Sequence, residues 1–148
     1  MSERLSILPK VGFGNIKLGA SRDAVEKLLR LPDEIELQAE LEVWRYDETL
    51  ELTFSAEVDY RLSCITVSNQ NASLDGKAVI GLSEEALVEA FPFLTLDSDP
   101  EAPEAENNGK DYICLERELS VWLVDDKVIN VSLFPAFDGS GEQPLWPD

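Results

Sequence analysis

The chain has 148 residues, 30 acidic and 12 basic side chains and no histidine, for a net charge of −18. That length fits one compact domain or two small fused ones, and a hydrophobic content of 44% supplies the core that a disordered chain of such charge lacks. Lack of histidine removes the commonest general base and zinc ligand, and so acidic a surface repels nucleic acid and anionic membranes.

The first ten residues, Met1 to Lys10, hold no apolar stretch and no small-residue cleavage site, so no export signal is expected. No apolar run approaches the roughly 20 residues of a membrane-spanning helix. A soluble, cytoplasmic chain is the resulting expectation. Gly12-Phe13-Gly14 is half of a dinucleotide-binding motif, without its third glycine, and is set aside.

From Ile16 the chain reads Ile-Lys-Leu-Gly-Ala-Ser-Arg-Asp-Ala-Val-Glu-Lys-Leu-Leu. A shift of 62 places superposes Gly19 on Gly81 and Ser21 on Ser83, and aligns Ala24, Val25, Leu28 and Leu29 with Ala86, Leu87, Ala90 and Phe91. Each segment predicts a glycine turn, a serine N-cap and a short helix, which Pro32 or Pro92 ends. Asp23, and Glu84 with Glu85, stand where the helix dipole favours negative charge.

Strand-like alternation follows each helix, at 42–46, 50–55 and 61–68, then at 111–115, 118–124 and 127–134. The expected fold is therefore α+β, a tandem repeat of one helix plus a three-stranded antiparallel meander, with the helices packed on one face of the sheet. Residues 1–77 form the first unit, 78–136 the second and 137–148 an extended tail, in one compact globule. Period-two alternation sends Leu50, Leu52, Phe54, Leu119, Val121 and Leu123 towards the helices. The opposite face then receives Trp44, Tyr46, Thr53, Cys64 and Thr66 from the first unit. From the second it receives Tyr112, Cys114, Ser120, Trp122, Asn130 and Ser132.

Residues 97–111 form an acidic, proline-containing loop. Asp97-Ser98-Asp99-Pro100-Glu101 has the look of a calcium loop, but Ala102 stands where such a loop requires glycine, so no metal is expected. Cys64 and Cys114 read as two free thiols in a reducing compartment, with a bridge between them left open. The carboxylate pairs Glu84–Glu85, Asp125–Asp126 and Glu116–Glu118 sit at a helix start, a turn and a strand, where solvated surface is their expected role. Without a base to activate Ser21 or Ser83, the chain is not expected to be an enzyme, and no cofactor is expected.

The motif Leu18-Gly19-Ala20-Ser21-Arg22-Asp23-Ala24-Val25, with the helix and three strands recurring over residues 12–135, resembles the tandem architecture of β-lactamase inhibitor proteins. It is also similar to the helix-then-three-strand units of small bacterial envelope lipoproteins. The chain departs from the secreted inhibitors in showing no export signal and in having no paired cysteine framework within each repeat. What the resemblance implies is a mode of binding, in which sheets form one concave face that grips a protein with aromatic side chains.

Charge is uneven: residues 1–77 sum to −5 and residues 78–148 to −13. Such a field steers a basic partner. The expected function is that of a protein-binding inhibitor module, monomeric or weakly dimeric, in its narrowest form an immunity protein neutralising a basic toxin. The expected partner-binding residues are Trp44, Tyr46, Tyr112 and Trp122, with Asp97, Asp99 and Glu101 of the acidic loop. Competing readings are a small-ligand binder or enzyme using the same face, and a module that associates with itself through it.

Overall fold

Two serine hydroxyls set the helix starts. The computed structural model describes residues 6–14, 16–29, 32–46, 49–70, 72–74, 76–96, 110–114, 116–137 and 144–145. In it Ser21 and Ser83 are extended, and each hydroxyl accepts the N–H three residues on, from Ala24 at 3.1 Å and from Ala86 at 3.2 Å. Helices α1 (Arg22–Leu28) and α2 (Glu84–Ala90) are seven residues each, and each buries one side chain, Val25 or Leu87. Helices this short do not persist alone. Both are latched to a strand by paired main-chain bonds: Gly19 N–H donates to Leu62 and Leu62 N–H to Ala20, at 2.8 and 2.9 Å. At the second helix Gly81 donates to Val128 and Val128 to Leu82, at the same distances.

In chain order the strands are β1 (Ser6–Leu8), β2 (Gly12–Phe13), β3 (Ile16–Lys17), β4 (Glu34–Gln38), β5 (Leu41–Tyr46), β6 (Leu50–Ser55), β7 (Arg61–Val67), β8 (Ser73–Leu74) and β9 (Lys77–Ala78). They continue as β10 (Thr95–Leu96), β11 (Lys110–Cys114), β12 (Leu119–Val124), β13 (Lys127–Leu133), β14 (Ala136–Phe137) and β15 (Pro144–Leu145). An eight-stranded antiparallel sheet runs in the order β10-β11-β12-β13-β7-β6-β5-β4. Its middle seam is the β13–β7 pair, in register at Val131–Val67, Ser132–Thr66 and Leu133–Ile65. A five-stranded sheet, β3-β2-β1-β8-β9, contains one parallel pair, β1 with β8. Ile7, Phe13, Ile16 and Leu74 of the smaller sheet and Leu52, Phe54, Ile65, Val121, Val131 and Leu133 of the larger one share a single buried cluster with Val25 and Leu87.

The expectation of an α+β fold built as a tandem helix-plus-three-strand repeat is therefore corrected. Among the described residues the molecule is mostly β, with two large sheets and two α-helices of only two turns. Several segments outside the expected strands pair as strands. Glu34–Gln38 adds a fourth strand beside β5, and the two- and three-residue strands of the smaller sheet are too short to show a period. At the tail, Ala136 pairs with Leu145 and Phe137 with Pro144.

The facial assignment of three aromatic residues is corrected as well. Trp44, Tyr46 and Tyr112 are 5, 5 and 7% exposed and belong to the core, as does Cys114. Directly paired residues of antiparallel strands project to the same side. Trp44 stands opposite Leu52, Tyr46 opposite Leu50, Tyr112 opposite Val121 and Cys114 opposite Leu119, so all four share the face of those core residues. Trp44 fills its place with its ring 4.8 Å from that of Phe54, while its indole N–H donates to Glu42 at 3.0 Å.

Candidate partner-binding face

With the helices and the smaller sheet on one side, the other side of the eight-stranded sheet carries one row of residues in direct register across every strand. The row runs Glu34, Arg45, Glu51, Thr66, Ser132, Ser120, Ile113 and Thr95. Strand pairing positions these side chains, and from Arg45 to Ile113 each is the alternate neighbour of a buried core residue. From Arg45 to Ile113 the row is half-buried.

Its left end is an ion-pair network around one cation. Arg45 Nε donates to Glu51 at 2.8 Å and Nη1 to Glu36 at 3.0 Å, with Glu34 3.7 Å away. A hydrogen bond from Gln38, followed by those of Arg45, holds the Glu36 carboxyl below its ordinary range. Glu51 and Glu36 raise Arg45 further above its already high value. One guanidinium thus serves three carboxylates, which leaves this end net negative. A cleft of about 450 Å³ opens here, lined by Glu34, Arg45, Leu50, Glu51, Thr66, Ser68 and Asn130.

At the seam the Thr66 and Ser132 hydroxyls lie 3.1 Å apart, and Cys64 Sγ is 3.8 Å from the Thr66 hydroxyl. Burial pushes the Cys64 thiol up to about 11, opposed by the Thr66 hydroxyl, so it is a poor thiolate. Cys64 stands opposite Thr53 on this face, whereas Cys114 is on the core face; both are free, and the sheet between them rules out a bridge in this fold. Beyond the seam Ser120 donates to Asp111 at 2.7 Å. Trp122, paired with Asn130 and Asp111, is half-buried beside them.

Of the residues expected to bind a partner, this face therefore holds Trp122 and not Trp44, Tyr46 or Tyr112. Asp97, Asp99 and Glu101 lie outside the described residues. Tyr112 instead reaches α2, where its hydroxyl donates to Glu84 at 2.6 Å while Lys110 pairs with the same carboxylate at 2.8 Å. These bonds hold Glu84 below its ordinary range, and the carboxylate in turn pushes Tyr112 up to about 12. Glu84 is thus not simply a solvated member of an acidic pair. The Arg45 network was missed by sequence reasoning, although Glu34, Glu36 and Arg45 at alternate positions of two neighbouring strands were its signal.

Among the described residues no group of three His, Cys, Asp or Glu side chains is placed to hold a metal ion, and no helix is long and apolar enough to cross a membrane. No protein-family model and no curated protein matches the chain. Among solved structures the chain is similar to an extracellular protein containing a SCP domain from Bacillus anthracis str. Ames, at 12% identity with a TM-score of 0.50. That likeness covers 80% of this chain but 44% of the other, and at so low an identity it is one of fold alone.

Proposed function

We propose that the chain is a non-catalytic, acidic protein-binding module that receives a basic protein on the open face of its eight-stranded sheet. The observation that carries this reading is a largely polar row with the under-neutralised Arg45 network at one end and the half-buried ring of Trp122, four strands from Arg45, alongside its other half. Aromatic anchors surrounded by polar groups are what protein interfaces concentrate their binding energy in. A net charge of −18 adds long-range attraction for a basic partner. The cleft beside Arg45 falls within the size range of small-molecule sites, yet six of its seven lining residues are charged or polar, whereas such sites are mainly apolar. An inhibitor that covers a basic toxin, acting in a reducing cytoplasm where Cys64 and Cys114 stay as thiols, is the narrowest form of this proposal.

The test is affinity capture from native lysate at low salt with the wild type and with Trp122→Ala. The expected result is a basic protein held by the wild type, released as salt rises, and bound by the variant with a loss of about 2 kcal/mol, or roughly 30-fold. Capture of the same proteins by both forms, independent of salt, would overturn the proposal.

A further inference from the structure

Strand β4 closes one end of the eight-stranded sheet, and among the described residues no strand pairs with its outer edge. Such an edge is a template for another chain. Its two sides differ sharply. Ile35 and Leu37 project to the core side, in register with Trp44 and Glu42, and are 49 and 73% exposed. Glu34 and Glu36 project to the open side, where Arg45 is shared with Glu51.

We infer that this edge accepts an extended segment of a basic protein partner, which adds a ninth strand with apolar side chains beside Ile35 and Leu37 and lysine or arginine beside Glu34 and Glu36. The inference rests on the reading that the partner is a basic protein, and adds where part of it docks. Main-chain bonds to a sheet edge supply affinity, and alternate side chains supply selectivity. A second copy of the chain is disfavoured as occupant: antiparallel pairing centred on Glu36 sets Glu36 directly against its own counterpart, and each copy carries −18. A segment alternating basic and apolar residues meets neither obstacle.

The experiment is amide hydrogen exchange on the full chain, with and without a short synthetic peptide of alternating lysine and valine. The expected result is slowed exchange within Glu34–Gln38. It is also expected that Leu37→Lys and Ile35→Lys, at positions already exposed, weaken peptide binding by roughly 5- to 30-fold while Val88→Lys, at an exposed position of α2, leaves it unchanged. Four outcomes would overturn the inference: no protection at β4, protection at the open face instead, equal protection by a lysine–serine peptide, or protection of β4 in the free chain that grows with protein concentration. Failure here with lysate capture still dependent on Trp122 removes the edge alone. Success here with capture unaffected by Trp122→Ala removes the open-face reading.

Discussion

The phenol of Tyr112 and the carboxylate of Glu84 hold one another in place, and their protonation sets the window in which they do so. Tyr112 is raised to about 12 by the hydrogen bond to Glu84, then by burial, so the folded state keeps its proton longer than the unfolded state does. Its contribution to stability is complete below the ordinary tyrosine value of about 10 and is lost as pH rises from there to about 12. Glu84 is shifted the other way, first by Lys110 and then by Tyr112, so its contribution is present above the ordinary carboxylate range and is lost as pH falls below it. The pair therefore secures the start of α2 between about pH 5 and about pH 10. Spectrophotometric titration of the phenolates should show one tyrosine ionising near 12, and Glu84→Gln should bring it back towards 10. An unchanged titration curve in that variant would mean that burial, not the carboxylate, sets the shift.

Turns and hairpins decide which side chain faces which way, and two glycines show how differently they can be required. A Cβ on Gly12 would lie 1.9 Å from the carbonyl oxygen of Ile16, the residue beginning β3 across the hairpin. Gly12→Ala must therefore push β2 and β3 apart, at an expected cost of about 2 kcal/mol or more. At Gly81 a Cβ meets nothing within 4 Å, but φ is +89°, so Gly81→Ala is expected to cost about 1 kcal/mol through backbone conformation alone. Urea denaturation of the two variants separates these cases, and equal losses would deny the steric argument at Gly12. The same dependence on turns explains what was readable beforehand. Serine caps at Ser21 and Ser83 and the alternation in β5, β6, β7, β11, β12 and β13 are local signals, and all appear in the fold. The phase of β5 relative to β6 is not local, because the chain between Tyr46 and Leu50 fixes the register that puts Trp44 opposite Leu52. A one-residue difference in that turn would have turned the indole outwards. The Arg45 network was missed together with β4: Glu34 to Gln38 does alternate polar and apolar residues, but a repeat of three strands per helix left no place for a fourth. Trp122 kept its expected face because β12 alternates without interruption from Leu119 to Val121 and Leu123 in the core.

At the scale of the whole molecule, the surface charge works against the shared core that joins both sheets. Twelve cations can neutralise at most twelve of thirty carboxylates, so a surplus of 18 negative charges repels itself in the folded state. The ion pairs that salt would weaken include partly exposed ones at Arg45 and Lys110, and exposed pairs are worth about 0–1 kcal/mol each. Screening sets in over about 10 Å at 0.1 M ionic strength, a range that covers neighbouring carboxylates all over a domain this size. The two effects have opposite signs, and repulsion is the larger because acids outnumber bases thirty to twelve. Stability measured in urea, a denaturant without charge, is accordingly expected to rise as sodium chloride is added. A midpoint that falls with salt would mean that the Arg45 and Lys110 pairs outweigh the surplus. The same salt is expected to slow capture of a basic partner, so added salt should firm the fold and weaken the binding in parallel. That opposition sets long-range attraction apart from simple unfolding as the cause of lost capture, because a chain losing its partner by melting would lose both together.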